Sequence, residues 1–128
     1  MNHTRLVEIR WSDVDAFRHV HHASYLYFLE TARDEWIDTL GGTDDAWNWV
    51  IRKIEISYES EMTLRDRVAT VSVAVERVGT TSLVTREEVR GPEGRLCASA
   101  SCVLVRLADD RSGSVPIPDQ IRRQLEAS

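Results

Sequence analysis

The sequence predicts an α+β domain in which one long helix covers one face of a largely antiparallel sheet. Three observations carry this prediction. Apolar residues recur at helical spacing over one sustained segment, residues 23–40. Apolar–polar alternation, the period of a half-buried strand, marks the segments before and after it. Turn-forming residues then separate the later strands into hairpin succession.

Taken in order, residues 6–12 alternate, with Val7, Ile9 and Trp11 on one face and Glu8 and Arg10 on the other. Residues 13–22 are polar and irregular, a loop. In the helix, Tyr25, Leu29, Ala32, Trp36 and Leu40 form a stripe, with Leu26 and Ile37 beside it, and Gly41-Gly42 ends it. Val50, Arg52, Ile54, Ile56 and Tyr58 then alternate with Ile51, Lys53, Glu55 and Ser57. Val71, Val73 and Val75 mark the next strand, Gly79 a turn, and residues 82–89 the returning strand. Gly91-Pro92-Glu93-Gly94 is a strong turn signal before a long strand over residues 96–107. The first half of that strand is small (Ala98, Ser99, Ala100, Ser101), which lets another layer approach closely. Residues 109–118 form a loop, and residues 119–126 a short helix with Asp119 as its N-cap. A single helix leaves the second sheet face bare while the strands carry apolar residues on both sides. The expectation is a homo-oligomer that covers that face or joins sheet edges.

At 128 residues the chain reads as one domain, residues 1–128, large enough to hold a core without a metal or a disulfide. Its hydrophobic fraction of 42% and charged fraction of 29% are ordinary for a soluble protein. The net charge is −5 with both signs interspersed, so no basic stripe exists to follow a nucleic-acid backbone. Cys97 and Cys102 lie in one strand at an odd separation, which puts them on opposite faces and argues against a bridge. Reduced, buried thiols suit a cytoplasmic protein. The N-terminal stretch MNHTRLVEIR lacks the apolar core of a secretory signal, and no apolar run nears the roughly 20 residues that cross a bilayer.

The chemistry concentrates in WSDVDAFRHVHHASYLYFLETAR, residues 11–33. Asp13 and Asp15 open it, His19, His21 and His22 follow, and the helix begins. Free backbone N–H groups and the positive end of the helix dipole lie at that junction. An amide there can donate to a carbonyl oxygen that is becoming an oxyanion, and an upstream carboxylate can curl back to face the same spot. A nucleophile or base with an oxyanion donor is the minimum equipment for acyl transfer. A zinc site built from the three histidines with Asp13 or Asp15 is disfavoured, because a short loop seldom supplies tetrahedral geometry and no H-E-x-x-H is present. A serine nucleophile fails for want of a G-x-S-x-G elbow. The cysteines lie mid-strand, far from any helix N-terminus that would lower their pKa.

The pattern W-S-D-x-D-A-x-x-H-V-x-H-A-S-Y-L-x-F-L-E-x-A-R resembles the signature of hotdog-fold acyl-CoA thioesterases of the 4-hydroxybenzoyl-CoA thioesterase-like superfamily. The resemblance continues through Lys53-Ile54-Glu55-Ile56-Ser57-Tyr58, through Arg77-Val78-Gly79-Thr80-Thr81-Ser82 and through Pro116-Ile117-Pro118. It implies a hotdog fold, a long central helix wrapped by a five- to six-stranded antiparallel sheet. It implies a homodimer or homotetramer that hydrolyses acyl-CoA, or an acyl-carrier-protein thioester, with no cofactor and no metal.

Carried over residue by residue, Asp15 matches the family's catalytic carboxylate, as nucleophile or general base. His22 matches the helix start, where a backbone N–H polarises the thioester carbonyl; in some relatives a histidine side chain there takes part as well. Asp13 matches the other acid and reads as structural, bonding loop amides. His19 stands where the family also has histidine and, with Tyr25 and Arg18, is a candidate substrate contact. Arg18 has two readings, a solvated loop arginine or a partner for a CoA phosphate; Arg52, Arg65, Arg77 and Arg86 share them. Glu30 and Arg33 match the family's E-x-A-R and would hold the helix in place, Glu30 keeping a minor catalytic claim. The family often has glycine two or three residues after the catalytic acid, where this chain has Phe17-Arg18. The usual N-N is His21-His22, and a common proline is absent from Glu59-Ser60-Glu61-Met62. The competing class is a non-catalytic acyl-thioester-binding protein. A hotdog hydratase is disfavoured because its D-x-N-P-x-H motif is missing.

Overall fold

The computed structural model describes residues 2–41 and 45–127. Five strands form one antiparallel sheet in the order β1-β3-β4-β5-β2. They are β1 (His3–Glu8), β2 (Trp49–Tyr58), β3 (Val68–Val78), β4 (Ser82–Arg90) and β5 (Leu96–Arg106). Helix α1 (His22–Ile37) lies against β3, β1 and β4, and α2 (Asp119–Glu126) packs near β3. This is the expected α+β hotdog arrangement, with five strands.

The helical stripe does what its spacing demands. Tyr25, Leu29, Ala32, Trp36 and Leu40 are all buried, joined by Phe28 and Ile37, against Ala69, Val71, Val73, Leu83 and Val89 of the sheet. Each large apolar side chain so buried contributes about 1.5–3 kcal/mol. A 16-residue helix is marginal alone in water, so this stripe, not intrinsic propensity, holds α1. Inside that apolar layer lies an ion pair. The Arg33 guanidinium is 1% exposed and donates from Nε and Nη2 to Glu87 Oε2 and Oε1, each at 2.8 Å. The Thr85 hydroxyl adds a third hydrogen bond to Glu87 Oε2 (2.7 Å).

Several boundaries differ from the sequence expectation. β1 starts at His3 and stops at Glu8, because Arg10 N–H donates to Asp13 Oδ2 (2.8 Å) and closes a 3-10 turn over Trp11–Asp13. Trp11 thus leaves the sheet and is exposed. α1 ends at Ile37; the amides of Thr39 and Leu40 bond to Trp36 and Ile37 carbonyls in a tighter turn that still carries Leu40 into the core. Gly42, assigned to the helix stop, lies outside the described residues. Asp119 is the first residue of α2, while Pro118 holds the cap position without a side-chain bond. The β4–β5 register slips between Val89, opposite Ala98, and Arg90, opposite Leu96. Cys97 is the extra residue there, so the parity argument that set the two cysteines on opposite faces fails; both are free thiols and fully buried.

Away from α1, Glu55, Ser57, Glu76, Arg86, Ser99 and Ser101 line a shallow groove across the strands. That surface is polar, not apolar as the alternation suggested. The exposed large apolar residues of the sheet sit instead on its edge strands: Leu6 on β1, and Val50, Ile51 and Tyr58 on β2.

Candidate active site

The loop between β1 and α1 is fixed from below by Asp13. This carboxylate is 3% exposed and spends Oδ2 on the Arg10 amide. The Asp13 carbonyl accepts from the His21 amide (2.8 Å) and the Ser24 hydroxyl (2.9 Å), which sets where α1 begins. Val14 bridges Val20, pinching the loop at its neck. Within it the Asp15 amide donates to the His19 carbonyl (2.9 Å) and the Arg18 amide to the Asp15 carbonyl (2.9 Å). Asp15 Oδ1 accepts from the amides of Phe17 (2.9 Å) and His19 (3.2 Å). Oδ2 accepts no hydrogen bond among the described residues. One oxygen holds the turn, and the other stands unbonded at the pocket.

The turn also demands an unusual backbone. Arg18 has φ 66°, in the left-handed region. Here stands an arginine in the place where the resembled family often has glycine. An L side chain there costs roughly 1–2 kcal/mol.

Helix α1 starts at His22. His21 is its N-cap, with Nδ1 accepting from the Ala23 amide (3.2 Å) and the carbonyl accepting from the Ser24 amide (2.8 Å). The His22 amide, first of the helix, has no intrahelical acceptor. The far wall comes from the end of β2 and the segment after it. The Val20 amide donates to the Met62 carbonyl (2.8 Å), and His19 bridges Thr63. The Tyr58 hydroxyl donates to the His22 carbonyl (3.0 Å), and its ring meets Tyr25 edge-on at 5.3 Å.

These elements enclose an open pocket of about 390 Å³ that brings Asp15, His19, His22 and Tyr25 together with Tyr58 and Met62. Burial pushes the Tyr25 phenol up to about 12, so it is a neutral hydroxyl at any physiological pH. The His19 ring lies 3.6 Å from a Glu61 carboxylate oxygen. Arg18 lines the adjoining cleft, and Asp13 lies beneath the loop. Glu30 is exposed on α1 and lines neither pocket. Among the described residues no three His, Cys, Asp or Glu side chains converge as a metal site.

Sequence reasoning missed His21 as the cap and the wall from Tyr58 to Met62. The cap had a signal, since an N-cap accepts from the amide two residues on and His21 stands just before the helix pattern. The wall had none, because it reaches the pocket through contacts about 40 residues apart in the chain.

A family model of the thioesterase-like superfamily matches residues 9–125. The long-chain acyl-CoA thioesterase FadM of Escherichia coli (strain K12) is 24% identical over 128 residues, 94% of each chain. A thioesterase from Thermus thermophilus, solved in complex with coenzyme A and Zn, superposes with a TM-score of 0.89 at 26% identity, over 98% of this chain and 92% of that one. A predicted thioesterase from Bacillus stearothermophilus gives 0.87 at 29% identity, over 97% and 93%.

Proposed function

Because the chain belongs to the thioesterase-like superfamily, we propose that it is a thioester hydrolase acting on acyl-CoA, with Asp15 and the His22 amide as its reacting groups. The observation that carries this reading is the pocket that holds a carboxylate with one unbonded oxygen together with the first amide of a helix. FadM, a long-chain acyl-CoA thioesterase, and the coenzyme A complex of the Thermus relative support the substrate class.

The thioester carbonyl oxygen accepts from the His22 amide, whose dipole end favours the negative charge that builds there. Asp15 Oδ2 then acts in one of two ways. It adds to the carbonyl carbon and expels CoA thiolate, leaving an acyl-aspartyl anhydride that water opens. Alternatively it takes a proton from a water as that water adds, and the tetrahedral intermediate expels the thiolate. Both routes end in a carboxylate and CoA. A thioester carbonyl is less resonance-stabilised than an amide's and its thiolate leaves readily, so neither route needs a serine triad. Tyr25, neutral and buried beside Tyr58, and His19 shape the approach to the carbonyl. An acyl-carrier-protein substrate presents the same pantetheine thioester.

The protein acts as a single domain and as a homo-oligomer joined at sheet edges, where Val50, Ile51 and Tyr58 of β2 stand exposed. Its buried free thiols suit the cytoplasm. Among the described residues no helix is long and apolar enough to cross a membrane.

The test is thiol release from short-, medium-, long-chain and aromatic acyl-CoAs, with and without chelator. Chelator-insensitive release supports the reading. Binding of acyl-CoA without release from any of them replaces it with the non-catalytic binding protein, in which Phe17-Arg18 is the departure that silenced the site.

A further inference from the structure

Once Asp15 has added to the thioester carbonyl carbon, its carboxylate is consumed in the anhydride, and the water that opens the anhydride needs another base. The pocket holds one base with a partner of its own. Two histidines among the described residues pair with a carboxylate: His3 with Glu35 between β1 and α1, and His19 with Glu61 in the pocket. His19 Nδ1 lies 3.6 Å from Glu61 Oε1. Contacts between a base and its orienting carboxylate are often this loose before substrate binds. Main-chain bonds hold the two segments in register: the Val20 amide donates to the Met62 carbonyl (2.8 Å) and the Leu64 amide to the Arg18 carbonyl (3.1 Å). The Glu61 carbonyl accepts from the Arg95 guanidinium (3.0 Å). The His19 amide donates to Asp15 Oδ1 (3.2 Å), so the ring is carried on the same turn as the reacting carboxylate. His19 also lines an adjoining cleft of about 1040 Å³, from which water reaches the ring while an acyl group occupies the pocket. His22, the other imidazole of the pocket, is stacked on His21 at 4.2 Å and pairs with no carboxylate among the described residues.

We propose that His19 is a second catalytic residue, the general base for the deacylation half of the reaction, with Glu61 positioning its ring. The inference rests on the thioesterase reading and commits it to the route through an acyl-aspartyl anhydride. A proton on His19 Nδ1, turned toward Glu61, leaves Nε2 as an acceptor. A water gives a proton to Nε2 as its oxygen bonds to the acyl carbon of the anhydride. The tetrahedral intermediate then breaks its bond to Asp15 Oδ2, which restores the carboxylate and releases the free acid. Glu61 stabilises the imidazolium while it lasts, as a carboxylate beside a histidine does. The imidazolium gives its proton to the CoA thiolate or to solvent, and the site returns to its starting state.

The experiment follows thiol release after rapid mixing with the best acyl-CoA of the panel, for wild type, His19→Gln and Glu61→Gln. The two side chains are exposed and carry none of the main-chain bonds that fix the loop, so the variants keep the fold, as circular dichroism verifies. Thiol departs before the proposed step. His19→Gln should therefore release about one thiol per active site in a burst and then turn over roughly a hundredfold more slowly than wild type, as loss of a general base requires. kcat and KM should fall together and leave kcat/KM, which is set by acylation, near the wild-type value. Mass spectrometry of the quenched variant should find the acyl group added at Asp15. Glu61→Gln should show the same burst with a smaller fall in kcat; a Glu61→Gln identical to wild type overturns its positioning role. A His19→Gln whose kcat/KM falls along with kcat, or that forms no acyl-enzyme while wild type turns over, overturns the proposal and leaves the hydrolase reading standing. If wild type releases no thiol from any ester, the hydrolase reading falls and this inference falls with it.

Discussion

Replacing Arg33 with methionine isolates the energetics of the buried ion pair that ties α1 to β4. Methionine keeps the aliphatic stem of the arginine but ends where the guanidinium begins, so the group removed is the one that meets Glu87. What is lost is both hydrogen bonds to Glu87, whose carboxylate is fully buried and retains the Thr85 hydroxyl as its remaining donor. Stranding one charge of a buried pair costs about 3–5 kcal/mol, a large share of the stability of a domain this size. Urea unfolding followed by tryptophan fluorescence, at constant m-value, should report that loss for Arg33→Met, and a comparable loss for Glu87→Leu. In the double variant Arg33→Met/Glu87→Leu neither charge is stranded. Most of the loss should return, short of wild type by about 1 kcal/mol because the Thr85 hydroxyl has lost its acceptor. Single variants within about 1 kcal/mol of wild type, or a double variant whose loss equals the sum of the singles, would refute this reasoning.

Other expectations follow from the same geometry. Arg18→Gly relieves a left-handed arginine and should stabilise the fold by about 1 kcal/mol in thermal unfolding while weakening acyl-CoA use. His21→Ala removes the cap on α1 and should cost about 1 kcal/mol, with kcat falling as the His22 amide loses its position; His21→Asn should restore both. Burial raises the Cys102 thiol from 9.0 to about 11 and the Tyr25 phenol from 10.0 to about 12. Both are neutral acids favoured by the fold, so their contribution is whole below pH 9 and is lost as pH rises through 11 and 12. Cys102→Ala should flatten the first part of that alkaline loss in pH-dependent urea unfolding.

The elements that sequence alone made legible are those set by local periodicity. The Tyr25–Leu29–Ala32–Trp36–Leu40 stripe, the alternation of β3 and the Gly91–Gly94 turn each rest on neighbours within a few residues, and each stands where expected. The misreadings came where a polar group overrode the period. Asp13 captures the Arg10 amide and ends β1 early, and the bulge at Cys97 breaks the parity of β5. At the site, Asp15 and His22 stand in one pocket, and their short separation along the chain made that juxtaposition readable. The partnership of Arg33 with Glu87 spans 54 residues, and the wall from Tyr58 to Met62 is brought in by sheet pairing, so neither left a mark in the local pattern.

In the proposed mechanism Asp15 Oδ2 does the chemistry while Oδ1 holds the loop. Asp15→Asn separates the two, because the amide oxygen still accepts from Phe17 and His19 while the negative charge is gone. Thiol release from the best acyl-CoA of the panel should fall by at least roughly a hundredfold in kcat, with KM little changed and thermal stability close to wild type, as removal of a nucleophile or general base requires. A folded Asp15→Asn that releases thiol at the wild-type rate would contradict the account.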